Sequence, residues 1–161
     1  MFHPDAYIIS LTDMEPGFFT ERGIKGLIID LDNTLLSWKS GTIEPEICGL
    51  LQDYIAAGIK LCVVSNALNS RVAAILGPLG IPGVARARKP MRKPFLMAMN
   101  ILGTQKDETA VIGDQIFTDV YGGNRMGFYT VLVEPISKTE FIGTRIVRIA
   151  EKIVLRNLAK N

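Results

Sequence analysis

A chain of 161 residues, 48 % of them hydrophobic and with a formal net charge of +2, has the bulk for one globular domain around its own core. One histidine and two cysteines exclude a Ser-His-Asp triad, a His-ligated zinc site and a disulfide framework, and leave acid–base chemistry to carboxylates. No apolar run reaches the roughly 18 residues of a membrane span. The start, Met1-Phe2-His3-Pro4, lacks the basic-then-apolar pattern of a signal peptide, so a cytoplasmic chain with reduced Cys48 and Cys62 is expected.

Along the chain, His3 falls in a terminus expected to be mobile. Ile24–Leu31 reads as a buried strand, followed by a helix over roughly Glu46–Ala57, with Pro45 near its first turn and Gly58 closing it. Ile59–Ser65 is a second apolar strand, and Asn69–Leu76 a short helix stopped by Gly77-Pro78. A third strand is predicted near Val84–Ala87, then a helix from Pro94 to Leu102 closed by Gly103. Thr109–Gly113 forms a fourth strand, Ile116–Met126 a helix and Phe128–Val133 a fifth strand. A final helix is expected over about 139–158. Strands alternating with helices at this spacing predict an α/β, doubly wound, Rossmann-like parallel sheet covered on both faces. No linker or repeat divides the chain, so residues 1–161 are read as a single domain with its core over about 23–135.

Asp30-Leu31-Asp32-Asn33-Thr34 follows directly on the apolar run Gly26-Leu27-Ile28-Ile29. Ionised carboxylates repel and are costly to bury, so an Asp-x-Asp pair at the mouth of a buried strand calls for a cation or a reacting phosphate. The bland reading is a turn, since Asp, Asn and Thr all favour turns and caps. Ligands of such folds bind beyond the carboxyl ends of the strands. With strand order 3-2-1-4-5, those ends carry Asp30 and Asp32, Ser65-Asn66, Lys89, and Gly113-Asp114 with Asp119 a helical turn further on. Asp30, Asp32 and Asp114, with Asp119 close behind, a hydroxyl and an ammonium then converge on one rim.

These motifs, in this order, resemble the haloacid-dehalogenase-like (HAD) superfamily of phosphohydrolases, and within it the small subfamily IIIA enzymes of the YqeG-like type. The parts carrying the resemblance are Asp30-Leu31-Asp32-Asn33-Thr34, Val64-Ser65-Asn66, Lys89-Pro90 and Gly113-Asp114-Gln115-Ile116-Phe117-Thr118-Asp119. The resemblance implies that Asp30 attacks phosphorus to give an aspartyl-phosphate, and that Asp32 protonates the leaving oxygen and then activates water. It implies a Mg²⁺ cofactor held by Asp30, the backbone carbonyl of Asp32 and Asp114, with Asp119 nearby or bound through water. Thr34, Ser65, Asn66 and Lys89 are the implied substrate-binding residues. Lys89 is preferred over Lys93 as the screening charge, because Phe95 and Asp114 follow it at the family's offsets.

Between Asp30 and Ser65 lie 34 residues, and between Ser65 and Lys89 lie 23, too few for an inserted cap domain. An open site suits a large or membrane-borne phosphate. Residues 1–80 carry 5 basic and 9 acidic groups, and residues 81–161 carry 13 and 7, so the later half is expected to face an anion. In the final segment Arg145, Arg148, Lys152, Arg156 and Lys160 share one side of a helical wheel, opposite Ile146, Val147, Ile153 and Val154. That face is either solvated or set against anionic lipid. Relatives of the YqeG type resemble mitochondrial phosphatidylglycerophosphate phosphatases, which makes that lipid phosphate the leading expected substrate. The expected location is cytoplasmic, with peripheral association at the inner face of the membrane. Arg86, Arg88 and Arg125 are candidate headgroup contacts, and Trp38 a candidate stacking residue at the rim. No nucleic-acid partner is expected, and oligomeric state is left open. Two other readings remain at this point: a phospho-acceptor signalling module, and a protein- or RNA-binding scaffold without turnover.

Overall fold

The computed structural model describes residues 1–137; the helix expected over about 139–158 lies outside the described residues. Six strands, β1 (Ala6–Ile8), β2 (Gly26–Ile29), β3 (Lys60–Val64), β4 (Gly83–Val84), β5 (Thr109–Gly113) and β6 (Tyr129–Val133), form one sheet in the order β1-β6-β5-β2-β3-β4. Every pairing is parallel. The helices are α1 (Pro16–Thr20), α2 (Pro45–Ala56), α3 (Asn69–Leu76), α4 (Arg92–Leu102) and α5 (Tyr121–Met126).

Residue alternation sorts the core into two layers, because neighbours along a strand point to opposite faces. Leu27 and Ile29 of β2, Leu61 and Val63 of β3, and Ala110 and Ile112 of β5 pack with Phe19, Leu51 and Tyr54. Ile28, Cys62, Val64 and Val111 face the other way, onto Phe95, Ala98 and Leu102. Burial on both faces explains why these strands read as continuous apolar runs. Tyr54, on α2, also donates its hydroxyl to the Met14 carbonyl at 2.7 Å in this buried layer. Tyr54→Phe is therefore expected to cost about 1 kcal/mol of stability, read as a lower midpoint in urea unfolding at unchanged slope.

Two expectations need correction. The sheet has six strands where five were predicted, because β1 is three residues long and too short to show a periodicity. The segment holding His3 is tied down: Asn124 Nδ2 donates to the carbonyls of Met1 and His3 at 2.8 Å each, and Phe2 stacks on Tyr121 at 4.8 Å. The helix predicted over Ile116–Met126 has those bounds; its first part, Ile116–Val120, is of the wider π type and α5 continues it.

Among the described residues no helix is long and apolar enough to cross a membrane. Register in the sheet sets Ile29 beside Val63 and Ile112. The carboxyl ends of β2, β3 and β5 consequently open together, on the rim where Asp30, Ser65 and Asp114 stand.

Candidate active site

The ladder runs on into the first motif, since the Asp30 N–H donates to the Ile112 carbonyl at 2.9 Å. The chain then folds back sharply. Asn33 adopts φ 63°, its N–H donates to the Leu36 carbonyl at 2.7 Å, and Leu35 donates to Leu31 at 3.0 Å. Leu31, Leu35 and Leu36 are buried in the first core layer and anchor the loop. Asn and Asp tolerate the left-handed conformation better than other residues with a Cβ, so the Asp-Asn-Thr composition suits this turn as well as the chemistry.

Lys89 is the centre of the site. Its Nζ donates to Asp30 Oδ1 at 2.5 Å and to Asp119 Oδ1 at 2.6 Å, all three side chains being buried. Burial alone would push the ammonium down, but the carboxylates of Asp119 and Asp30 more than reverse this and hold it above the usual lysine range. Burial pushes the Asp119 carboxyl up to about 6, against the pull of Lys89. The loop before the lysine turns twice through the left-handed region, at Arg86 (φ 48°) and Arg88 (φ 54°). It leaves both arginines exposed while Ala87 and Lys89 are buried. This zigzag is why the predicted Val84–Ala87 strand stops at Val84. Asn66 Oδ1 accepts from the Lys89 backbone N–H at 2.8 Å, tying the end of β3 to the lysine loop. Lys93, by contrast, is exposed on α4.

Carboxylate oxygens of Asp30, Asp114 and Asp119 lie within 4.8 Å of one another, all buried. Hard oxygen donors gathered this closely, with one lysine offsetting three acids, fit a divalent cation such as Mg²⁺. The Asp32 side chain stands apart from that trio. Its Oδ1 accepts from Arg71 Nη2 at 2.7 Å, and the same nitrogen donates to the Trp38 carbonyl at 3.0 Å.

A cleft of about 870 Å³ lies over this group; its wall includes Asp30, Asp32, Ser65, Asn66, Arg71 and Lys89. Asp114, Asp119 and Thr34 are buried and do not line it. Ser65 is buried at the end of β3, where its hydroxyl accepts from the Ala67 N–H at 3.0 Å. Arg125 reaches the Pro90 carbonyl at 3.5 Å, and Trp38 is partly exposed on the cleft wall. Sequence reasoning missed Arg71. Its signal was faint: no acid lies three or four positions away in its own helix, so an ion-pair partner had to come from elsewhere.

A family model described as HAD-hydrolase-like matches residues 86–139. The probable phosphatase YqeG of Bacillus subtilis is 39 % identical over 159 residues, which cover 99 % of this chain and 92 % of that protein. The chain belongs to the YqeG-like HAD phosphatases. A second relative of this phosphatase is the chloroplastic/mitochondrial phosphatidylglycerophosphate phosphatase 1 of Arabidopsis thaliana, 33 % identical over 86 % of this chain but 43 % of the plant protein. Among solved structures, the 3-deoxy-D-manno-octulosonate 8-phosphate phosphatase of Moraxella catarrhalis, in complex with magnesium, phosphate and KDO, superimposes with a TM-score of 0.56. It is 19 % identical and covers 71 % of this chain and 72 % of its own, a likeness of fold. As a HAD phosphatase the protein is a hydrolase of phosphoric monoesters.

Gly113 shows how closely this HAD site is packed. A Cβ there would overlap the Asp119 carboxyl, so a side chain at 113 and Asp119 beneath Lys89 are incompatible. Gly113→Ala is expected to lower kcat by about 10²-fold, the scale of an ångström-sized displacement, in an aryl-phosphate assay with Mg²⁺. Wild-type kcat would show that Asp119 need not sit where it does.

Proposed function

We propose that the protein is a Mg²⁺-dependent phosphatase that works through an aspartyl-phosphate on Asp30 and acts on a large or membrane-borne phosphate, with phosphatidylglycerophosphate as the leading candidate. One observation carries the reading: a buried lysine bridges Asp30 and Asp119, with Asp114 within reach, at the carboxyl ends of β2 and β5. A structural salt bridge needs one acid. This ammonium binds two, with a third carboxylate close beside them.

In the proposed reaction an Asp30 carboxylate oxygen attacks phosphorus while the bond to the leaving alkoxide breaks. Asp32 gives a proton to that oxygen. A water then attacks the phosphorus of the aspartyl-phosphate, Asp32 takes a proton from it, and inorganic phosphate leaves with Asp30 restored. Lys89 holds Asp30 in place and offsets charge on the phosphoryl oxygens. Ser65 and the backbone N–H of Asn66 bind those oxygens. Asp30, Asp114, Asp119 and the Asp32 carbonyl would hold Mg²⁺, which supplies further neutralisation of phosphoryl charge.

The capless reading rests on the short connections between motifs and on the cleft being open between β3 and the 30–38 loop. A lipid-borne substrate is supported by the exposed face of α4. Leu96, Met97 and Ile101 are 43 %, 45 % and 49 % exposed there, and Met91 just before the helix is 54 % exposed. Arg88, Arg92 and Lys93 flank them, and from Asp53 to Asp107 the intervening chain holds no acid at all. An apolar stripe edged by cations, beginning two residues after the site lysine, matches an anionic bilayer surface. Peripheral attachment at the inner face of the membrane from a cytoplasmic location belongs to this proposal.

The test has two parts. Phosphate release from an artificial aryl phosphate should require Mg²⁺ and stop with EDTA; a folded chain without turnover on this substrate or on phosphatidylglycerophosphate ends the catalytic reading. Binding to phosphatidylglycerol vesicles should weaken as salt rises, and Met97→Asp with Ile101→Asp should reduce it at least 10-fold. Equal binding by that double variant would remove α4 from the membrane argument.

A further inference from the structure

Arg71 occupies a place that the proposed chemistry leaves unexplained. It projects from α3 across the cleft mouth, and its Nη2 is shared between Asp32 Oδ1 at 2.7 Å and the Trp38 carbonyl at 3.0 Å. An ordinary exposed ion pair contributes little, yet here one partner is the residue proposed to carry the proton. Both partners also line the cleft, and their side chains are 30 % and 24 % exposed, so an incoming ligand can reach the pair. The cleft thus has two cationic poles: Lys89 at its buried end, held by Asp30, and Arg71 at its mouth, held by Asp32.

We propose that Arg71 is a second anion subsite, selecting phosphomonoesters that also carry a phosphodiester. The proposal rests on the reading of Asp30 and Asp32 given above. Guanidinium is the side chain suited to a second phosphate, offering paired donors in a fixed plane. The two poles are held by carboxylates two residues apart in one loop, Lys89 by Asp30 and Arg71 by Asp32. Trp38 and Leu68 stand on the same wall and give the carbon linker an apolar flank.

Occupancy would also change Asp32. While its Oδ1 accepts from Arg71, that oxygen cannot hand a proton to a leaving group. A phosphodiester that takes over the guanidinium frees the carboxyl in the same step that seats the scissile phosphate. Substrate with the second phosphate would leave both Asp32 oxygens open to the leaving group, and substrate without it would leave Oδ1 on the guanidinium.

The experiment compares three substrates with the full chain and Mg²⁺: glycerol 3-phosphate, the deacylated headgroup glycerophosphorylglycerol phosphate, and phosphatidylglycerophosphate in detergent micelles. The headgroup should exceed glycerol 3-phosphate in kcat/KM by about 10–100-fold, the scale of one charge-assisted pair. Arg71→Gln should bring that ratio to within about 3-fold of unity, and Arg71→Lys should restore part of it. If the glutamine variant does not fold, Arg71→Met, which keeps the aliphatic stem, decides. A ratio unchanged by substitution, or a loss equal on all substrates, would reduce Arg71 to a structural residue and overturn the subsite. A preference confined to the micellar lipid would assign selectivity to the bilayer face instead and equally overturn it. Hydrolysis of none of the three, with an aryl phosphate still turned over, would likewise overturn the subsite; no turnover of the aryl phosphate either would instead indict the catalytic proposal beneath it.

Discussion

Asp30→Asn is expected to lower kcat on any phosphomonoester by at least ~10⁴-fold, more than about 5 kcal/mol of barrier, while the fold survives. The amide keeps the shape of the side chain and removes its charge and nucleophilicity. Two buried acids hold one ammonium and the third, Asp114, has an oxygen within 4.8 Å of theirs, so loss of one negative charge relieves repulsion among those that remain. Lys89 keeps its bond to Asp119. The melting temperature should therefore fall by no more than a few degrees, measured beside the activity on the same sample. Turnover within 10-fold of wild type would end the assignment of Asp30 as nucleophile.

Lys89→Ala should behave in the opposite way. It removes the single cation from between Asp30 and Asp119 and leaves both carboxylates buried without it. Breaking a buried pair from one side costs roughly 3–5 kcal/mol, so a fall in melting temperature of about 10 °C or more is expected in metal-free buffer. Added Mg²⁺ should raise the melting temperature of this variant more than that of wild type, because binding to the folded state alone stabilises it and the variant's acids have no competing ammonium. Lys93→Ala, on the exposed side of α4, should change stability by less than about 0.5 kcal/mol and leave turnover on a soluble aryl phosphate near wild type. The reverse ranking of the two lysines would show that the wrong one was placed at the centre.

Long apolar strands and their punctuation were legible in the sequence because each is buried on both faces. Asn69–Leu76 and Thr109–Gly113 have the same bounds in both readings. The three-residue β1 was illegible for a physical reason: its two-residue alternation has no room to repeat, and its stability comes from β6, more than a hundred residues away. The π type of the first turn at Ile116 was hidden as well, since apolar spacing marks a helix without fixing its width; there Asp119 packs directly against Gly113. At the site, the clustering of Asp30, Lys89, Asp114 and Asp119 follows from strand ends that the pattern places together. The bond between Arg71 and Asp32 does not, because it joins a helix face to a loop whose backbone turns at Asn33.

The pairing of β1 with β6 has a consequence for how the polypeptide emerges from the ribosome. Ala6 sits opposite Val131, and Ile8 opposite Val133. These neighbours are synthesised 125 residues apart, about 6–25 s at ordinary elongation rates. Until the later one appears, that margin of the sheet does not exist for the early strand to join. The nascent chain must complete the β2–β5 centre first, and Ala6-Tyr7-Ile8 waits as an unpaired segment that a neighbouring nascent chain or a chaperone is free to engage.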